Sequence, residues 1–287
     1  MGGASATRWV TGVEHDRSSF VSTVMSRRDV DASSGPALFA RYAYPPNSLG
    51  YCGPNDPQSL LEAASTGGHE RHLSHLARQF DGAWPYLELI AGCNAIEDPL
   101  DQRVVEAYWV GNRLTRRVAP SLLAASLDER FARRAGRRFE PCATAAFLGG
   151  VAQHSFHVFA VYPWLGLLLA GNEGAPFEVL DRCRIRWGRV QVVEGDLVTV
   201  ASRALVFAGS RLTLGPERVE QVRASLDGVG FVSDLAPGDV VSLHWDWVCD
   251  KLTRHSLAWL RACTRQNLDA VNALATPGPA SICDANT

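Results

Sequence analysis

The chain has 287 residues, of which 46% are apolar, so it can bury a substantial core and is not disordered throughout. Its 28 basic and 30 acidic side chains give a formal net charge of -2. Such a balance provides no overall field that would attract nucleic acid or an anionic membrane surface. We therefore expect neither of these among its partners.

The cysteines bear on the cellular compartment. Seven of them are scattered along the chain, and no two form a CxxC pair. An odd number at irregular spacing argues against a secreted disulfide framework and for reduced thiols in a cytosol. The residues up to Arg28 contain no apolar stretch of signal-peptide length, so we expect no export signal. The predicted location is cytoplasmic.

Changes of composition and of apolar period divide the chain into successive parts. The N-terminal part is rich in Ser, Gly, Thr and Arg, and the part after it carries apolar residues at helical spacing. The predicted parts are a disordered segment at 1–35, a helical domain at 36–176, a small β-barrel at 177–246, a C-terminal helix at 247–276 and a disordered tail at 277–287.

Proline and aspartate mark the first helix boundaries. A short helix begins at Ala37, and Pro45 with Pro46 is expected to halt it, because an interior proline removes a helical hydrogen bond. Asp56 followed by Pro57 has the pattern of an N-cap with proline at the first helical position. A second helix is therefore predicted to open at Pro57.

The segment from Cys142 to Asn172 contains no Asp, Glu, Lys or Arg and is long enough to cross a bilayer. It also contains Gln153, His154 and His157, and polar side chains are costly in hydrocarbon. The segment is therefore predicted to form a pair of buried core helices rather than a membrane span.

After Pro176 the apolar residues alternate in the manner of strands. A meander is predicted first, and a short helix or loop insertion at 216–228 separates it from a last strand. The predicted strands are 183–193, 197–207, 211–214 and 240–245. With a long amphipathic helix from Trp247 to about Leu274, the expected fold class is α+β: a helical N-terminal half, a small OB-like β-barrel and a C-terminal helix.

Two segments of the strand-rich part share residues with a known family. The first runs CRIRWGRVQVV, with Cys183, Gly188, Arg189 and Val190 in order, and the second runs PGDVVSLH and ends at His244. Together they resemble the HypC family of hydrogenase-maturation chaperones. The resemblance implies that Cys183 and His244 hold an iron fragment, bearing carbon monoxide and cyanide, while it passes to the large subunit of a nickel-iron hydrogenase. A thiolate and a neutral imidazole suit low-spin iron.

Longer phrases resemble a second family. YAYPPNSLGYCGPND, GAWPYLELIAG, HSFHVFAVYPWLGLL and SLHWDWVCDKLT look like an uncharacterised bacterial domain family, over about residues 37–272.

A second candidate constellation is His154 with His157. On a helix these residues are three positions apart and project to one side, so they could bind one metal ion or act as an acid and a base. Asp246 is the carboxylate expected to join them in an acid-base pocket. Two core histidines that are merely hydrogen-bonded explain the same pattern.

Aromatic residues and small polar residues cluster in three places along the sequence, and such clusters commonly line a concave site. Packing between domains explains them equally. The residues predicted to bind a ligand are Tyr44, Asn47, Tyr51, Cys52, Trp84, Tyr86, Trp245 and Trp247.

Two functional hypotheses follow. The first is an accessory protein for a nickel-iron hydrogenase, which binds a client subunit, a maturation factor or transiently an iron fragment through Cys183 and His244. The alternative is an enzyme of small-molecule metabolism that uses His154, His157 and Asp246 for acid-base chemistry. These two hypotheses differ in whether Cys183 and His244 meet. A third interpretation is a structural subunit with no chemistry of its own.

Overall fold

The computed structural model describes residues 34–66, 70–135, 140–172 and 174–275. The predicted disordered tail and nearly all of the predicted disordered N-terminal segment lie outside these residues. The predicted α+β fold is confirmed: a helical N-terminal part precedes a mixed five-stranded sheet closed in a ring, and a long C-terminal helix follows.

The helical elements lie mainly before residue 184, and the strands follow. The helices are α1 (Gly35–Ser48), α2 (Pro57–Thr66), α3 (Glu70–Ala77), α4 (Trp84–Cys93), α5 (Gln102–Trp109), α6 (Pro120–Ala135), α7 (Glu140–Phe147), α8 (His154–Phe156), α9 (Trp164–Leu169), α10 (Ala175–Cys183) and α11 (Arg254–Ala275), with a 3-10 turn at Arg113–Arg117 and a π-helical turn at His157–Val161. The strands are β1 (Arg186–Glu194), β2 (Leu197–Ala208), β3 (Arg211–Arg223), β4 (Ser225–Leu226), β5 (Val229–Gly230), β6 (Val240–His244) and β7 (Trp247–Lys251).

Helix α1 lies at the centre of the helical part and is buried on nearly all sides. The prediction that Pro45 and Pro46 would halt it is wrong, since the helix continues through both prolines to Ser48. Burial of the surrounding apolar residues holds the helix together where two hydrogen bonds are missing. The ring of Tyr42 stacks on Trp109 of α5 at 5.5 Å between centroids. The opening of α2 is as predicted, because Asp56 accepts a hydrogen bond from the backbone N–H of Ser59.

The ring of strands runs in the order β1-β2-β3-β7-β6, and β6 pairs with β1 to close it. The strand pairs are antiparallel except β3 with β7, which meet in parallel at Arg223 and Trp247. The helix or loop predicted at 216–228 is wrong for most of its length, because β3 continues to Arg223. Gly215 and Pro216 misled the prediction, since they lie at an irregularity in the β2–β3 pairing, where a proline is tolerated without ending the strand.

The C-terminal helix begins later than predicted. Residues Trp247–Lys251 form β7, which pairs with β6 across a tight turn, and α11 starts only at Arg254. Trp247, Val248 and Cys249 are all buried, and such a short apolar run fits a strand as well as a helix.

The charge-free segment forms short helices rather than one long helix. In the parts of the chain that the structure describes, no helix is long and apolar enough to cross a membrane. Residues from Ala152 to Phe159 are buried, as the prediction of core helices requires.

Candidate metal centre

Three buried side chains with metal-ligand chemistry meet where the helical part contacts the ring of strands. One nitrogen of His154, the sulfur of Cys183 and one nitrogen of His244 all lie within 4.8 Å of one another. The residues are 6%, 6% and 0% exposed. Each comes from a different element, so only the folded chain forms the cluster. The sequence-based expectation that Cys183 and His244 meet therefore agrees with the geometry, and His154 joins them.

The pairing of β1 with β6 brings Cys183 and His244 together. Cys183 is the last residue of α10, and the chain turns from there into β1, where Arg186 pairs with Leu243 of β6. The backbone N–H of Trp245 also donates to the carbonyl of Arg182. The prediction that Cys183 starts a strand is wrong, but the helix end and the strand end adjoin at the same edge of the sheet.

The backbone of α1 fixes the tautomer of His244. Its Nδ1 lies 2.6 Å from the carbonyl oxygen of Tyr42, and because a carbonyl only accepts, Nδ1 must carry the proton. That carbonyl is free for the purpose because its usual helical partner would be the N–H of residue 46, which is proline. Pro46, one of the two prolines that were expected to end α1, thus leaves the Tyr42 carbonyl available as the acceptor that orients the imidazole.

The Nε2 of His244 is left with a lone pair and no proton. It is buried and forms no hydrogen bond of ordinary geometry with any residue that the structure describes. The nearby carbonyl of Cys183 nevertheless acts to raise the pKa of His244. Metal-binding histidines commonly have this arrangement, in which one ring N–H donates to a carbonyl and the other nitrogen points at the metal.

His154 is held at both ring nitrogens. Its Nδ1 lies 3.1 Å from the hydroxyl of Tyr108, and its Nε2 lies 2.8 Å from the carbonyl oxygen of Cys183 and 3.9 Å from the sulfur. The Tyr108 hydroxyl can donate or accept, so it supports either tautomer. Coordination through Nε2 would require the proton to move to Nδ1 and the contact with the carbonyl to be given up.

Burial keeps all three donors uncharged. It lowers the pKa of His154 to about 4, and together with the neighbouring His154 it holds the pKa of His244 well below its usual range. It also raises the pKa of the Cys183 thiol well above its usual value. Neutral imidazole is the form that binds metal, whereas the thiol must lose its proton on binding. A bound cation would supply the positive charge that a thiolate needs in this apolar setting.

The donors face a cavity of about 80 Å³. Aromatic and apolar side chains form most of its wall, among them Phe80, Tyr162 and Val179, and the loop residues Tyr51 and Cys52 lie at one side. Burial raises the pKa of Cys52 to about 12, so its thiol is neutral. A cavity of this size holds a few water molecules or a ligand of a few non-hydrogen atoms.

His157 lies in the same cavity but outside the group of three. It begins the π-helical turn, and its ring packs against Tyr86 and Tyr162 at 5.6 and 4.5 Å between centroids. Both ring nitrogens are buried, and neither has a hydrogen-bond partner in the described part of the chain. A Cβ on Gly82 would lie 2.9 Å from its Nε2, so glycine at this position leaves room for the imidazole.

Asp246, which was predicted to act with the two histidines, lies in the exposed turn between β6 and β7. It forms an ion pair with Arg182, and it is not among the residues that line the cavity. Its acid-base role stays a prediction without geometric support in this conformation.

The predicted aromatic site separates into two groups. Tyr51 and Cys52 line the cavity, and Tyr51 stacks on Trp245 at 4.4 Å between ring centroids. Asn47 holds their loop through hydrogen bonds from Nδ2 to the carbonyls of Cys52 and Pro54.

The remaining predicted aromatic residues lie elsewhere. Tyr44 and Trp247 pack edge to face at 5.1 Å, with Phe231 against both rings, in a cluster between α1 and the sheet. Trp84 packs against the guanidinium of Arg78. The fully buried Tyr86 does not line the cavity itself, but its ring packs against two residues that do, His157 and Tyr108.

Sequence reasoning missed the residues that orient the donors. The Tyr42 carbonyl and the Tyr108 hydroxyl reach the site through the packing of α1 and α5, which no local pattern reveals. The one available signal was the Pro-Pro pair inside an apolar run, because each proline leaves a carbonyl four residues earlier without its helical partner.

Comparison with known proteins gives a family but no described relative. Neither the curated proteins nor the solved structures include a match to the chain. A family model described as a family of unknown function, DUF6390, matches residues 31–277, which is well over half of the chain. The region agrees with the domain family to which the longer phrases were compared. The chain therefore belongs to the DUF6390 family.

Proposed function

We propose that this protein binds one transition-metal ion through His154, Cys183 and His244. The observation that carries the proposal is the buried Nε2 of His244. It has a lone pair, no hydrogen-bond partner among the residues that the structure describes, and a thiol and a second imidazole as neighbours. Buried polar atoms in folded proteins almost always have partners. A metal ion would satisfy all three donors at once.

The donor set favours a soft or borderline metal. Two imidazoles and one thiolate suit zinc, copper or iron, whereas magnesium and calcium prefer the oxygen ligands that this group of three lacks. Three protein ligands leave a fourth position open in tetrahedral geometry, and catalytic or exchangeable sites differ from structural ones in this way. Here the open side would be the cavity of about 80 Å³.

The cavity indicates what the open position would take. Its wall is mainly apolar, and His157 offers two unpaired nitrogens beside it. A small ligand bound to the metal would therefore meet one hydrogen-bonding group in a setting that excludes bulk water. This favours a small uncharged or singly charged ligand.

The more specific role is the one implied by the resemblance to HypC. In that role the protein would hold an iron fragment through Cys183 and His244 and pass it to a client, the large subunit of a nickel-iron hydrogenase or another maturation factor. It rests on the quoted segments alone. A thiolate ligand requires Cys183 to stay reduced, which agrees with the cytoplasmic location predicted from the sequence.

The proposal is tested by metal analysis of the purified protein and by reconstitution with Zn²⁺, Co²⁺, Fe²⁺ or Cu⁺ under reducing conditions. We expect close to one equivalent of metal per chain and, with Co²⁺, a thiolate-to-metal charge-transfer band. Cys183→Ala should abolish the band and lower the metal content at least tenfold, because it removes the only sulfur of the three donors.

Cys142→Ala is the matched control. Cys142 is also buried, but its thiol donates to the carbonyl of Ala160 and it belongs to a different part of the helical core. The control should keep full metal content and the charge-transfer band. If none of the four metals binds the wild-type protein, or if both variants lose metal equally, the proposal is wrong and the three residues are a hydrogen-bonded part of the core.

A further inference from the structure

A second concave site lies between the β2–β3 hairpin and α11. Its volume is about 440 Å³, and Trp187 and Leu268 contribute to its wall. It shares no lining residue with the cavity of the candidate metal centre. The two sites can therefore be tested independently.

Four arginines surround this groove. Arg203 lies on β2, Arg211 opens β3, and Arg261 and Arg265 lie one turn apart on α11. Among the described residues that line the groove the only acidic one is Asp269, so the formal charge of this lining is 4 − 1 = +3. We call this site the arginine groove. The whole chain has a net charge of -2, so an excess of basic residues elsewhere does not explain the cluster.

None of these four arginines forms an ion pair with a carboxylate in the part of the chain that the structure describes. Arginines of the nearby sheet behave differently, since Arg184 pairs with Asp181 and Arg186 with Glu220. Like charges four residues apart on a helix, as in Arg261 and Arg265, also repel each other. The positive charge of the arginine groove is therefore not neutralised by ion pairs with the residues that the structure describes.

Hydrogen bonds fix the walls of the arginine groove. Nε of Arg203 donates to the carbonyl of Gly215 at 2.6 Å, which sets the direction of its guanidinium. The side-chain amide of Asn272 bonds both the N–H and the carbonyl of Leu212, each at 2.8 Å, and ties β3 to α11. The site is therefore formed before any ligand arrives, which lowers the entropic cost of binding.

The geometry points to a small organic diphosphate as the ligand of the arginine groove. A phosphate group carries about -1.5 to -2 charges near neutral pH, so two of them match a lining of +3. Guanidinium groups bind phosphate oxygens through paired hydrogen bonds. The volume lies within the range of about 300–1,000 Å³ that is usual for small-molecule sites. Trp187, with Arg261 5.6 Å above its ring, offers an edge for the organic part.

Calorimetric titration of the full chain with pyrophosphate, ADP and inorganic phosphate tests the inference at low and moderate salt. We expect pyrophosphate and ADP to bind one per chain, and inorganic phosphate at least tenfold more weakly, since it presents only half of the charge. The variant Arg261→Gln/Arg265→Gln should weaken pyrophosphate and ADP binding at least tenfold. Added salt should weaken it as well.

Arg254→Gln is the matched control, because Arg254 lies on the same helix but outside the lining. It should bind like the wild type. Circular dichroism shows whether each variant is folded, and Arg211→Gln outside α11 provides a second variant should the double one unfold. The inference is overturned if the wild type binds neither diphosphate, if inorganic phosphate binds as tightly, if Arg254→Gln loses as much affinity, or if only a polymer such as heparin binds.

Discussion

Two buried polar regions of this molecule differ in whether their side chains have ion-pair or hydrogen-bond partners. Where α10 adjoins the sheet, Asp181 contacts Arg184 and Arg218 at 3.0 and 3.2 Å, and Arg186 contacts Glu220 at 2.5 Å. Each of these guanidinium and carboxylate groups faces an opposite charge, although Nε of Arg184 and Nε of Arg186 are buried without a hydrogen-bond partner among the described residues. The cavity of the candidate metal centre holds no such ion pairs among its described residues, and there buried nitrogens of the neutral His157 and His244 have no hydrogen-bond partner.

The difference separates a structural role from a functional one. Removing one member of a paired network leaves a buried charge unpaired, and this lowers the free energy of unfolding. Unpaired neutral nitrogens destabilise the metal-free fold slightly, and they become favourable only when a ligand fills the space between them. Substitutions in the first region should therefore change stability, and substitutions in the second should change binding.

The largest expected effect is that of Asp181→Ala. Its carboxylate bonds the guanidinium of Arg184, which is 1% exposed, and the backbone N–H of Leu205. Loss of the partner of a buried charge costs about 3–5 kcal/mol in the free energy of unfolding. Urea titration measures it, and the folded fraction should still bind metal. A loss below about 1 kcal/mol would contradict the structural role of the network.

Tyr108→Phe tests the second region, the candidate metal centre. The change removes the hydroxyl that lies 3.1 Å from Nδ1 of His154 and leaves the ring, which stacks at 5.4 Å on Tyr86. Loss of such a supporting hydrogen bond typically weakens metal binding about 10- to 100-fold. Competition with a chromophoric chelator measures the affinity. An unchanged affinity would mean that His154 is not a ligand or is oriented by its other contacts alone.

The pH dependence of stability tests the paired network without changing the chain. Burial alone would raise the pKa of Glu220, but the charge of Arg186 and the hydrogen bonds from Arg186 and Ser202 lower it below its usual value. The folded-state pKa lies below the unfolded one, so the stabilisation is complete above about pH 4.3. It is lost as the pH falls further, through the folded-state value.

Glu220→Gln provides the comparison for this titration. The difference in unfolding free energy between wild type and variant should be constant near neutral pH and should shrink below about pH 4.3, where the wild-type carboxylate takes up a proton. Urea unfolding at a series of pH values measures it. A difference that grows on acidification would show that the carboxylate is not stabilised in the folded protein.

The sequence was informative where a local pattern determined the structure. The α+β class, the opening of α2 at Asp56 and most of β2 follow from period and capping alone. The extension of β3 and the strand β7 could not be predicted in this way. Gly215-Pro216 has the pattern of a strand end, and the short apolar run of β7 fits a helix as well as a strand. Such segments are decided by pairing with strands that are distant in sequence.

The candidate site also combines features that the sequence predicts with features that depend on packing between distant segments. The meeting of Cys183 with His244 was anticipated from a resemblance of two segments. His154 was predicted to act with His157, and its position beside Cys183 and His244 was not anticipated, since it depends on how α8 packs against the ring. Asp246 was predicted to join His154 and His157 in an acid-base pocket. The turn after β6 instead directs it to Arg182 at the surface.

The smallest expected effect on metal affinity concerns one backbone atom of α1, the carbonyl oxygen of Tyr42. Pro46→Ala would restore an N–H that bonds the Tyr42 carbonyl, which then competes with Nδ1 of His244 for the same acceptor. We expect metal affinity to fall about fivefold, which corresponds to roughly 1 kcal/mol for a weakened hydrogen bond. The metal-free protein should become more stable, because an interior proline disfavours a helix by about 3 kcal/mol relative to alanine.

Pro45→Ala is the control for this opposite change in stability and affinity. It restores an N–H to the carbonyl of Arg41, which His244 does not contact, so it should raise stability without weakening metal binding. If the two variants bind metal equally, the Tyr42 carbonyl does not determine the orientation of His244. If only Pro46→Ala loses metal affinity while it gains stability, Pro46 favours metal binding and destabilises the helix. Stability and function are often opposed in this way at functional sites.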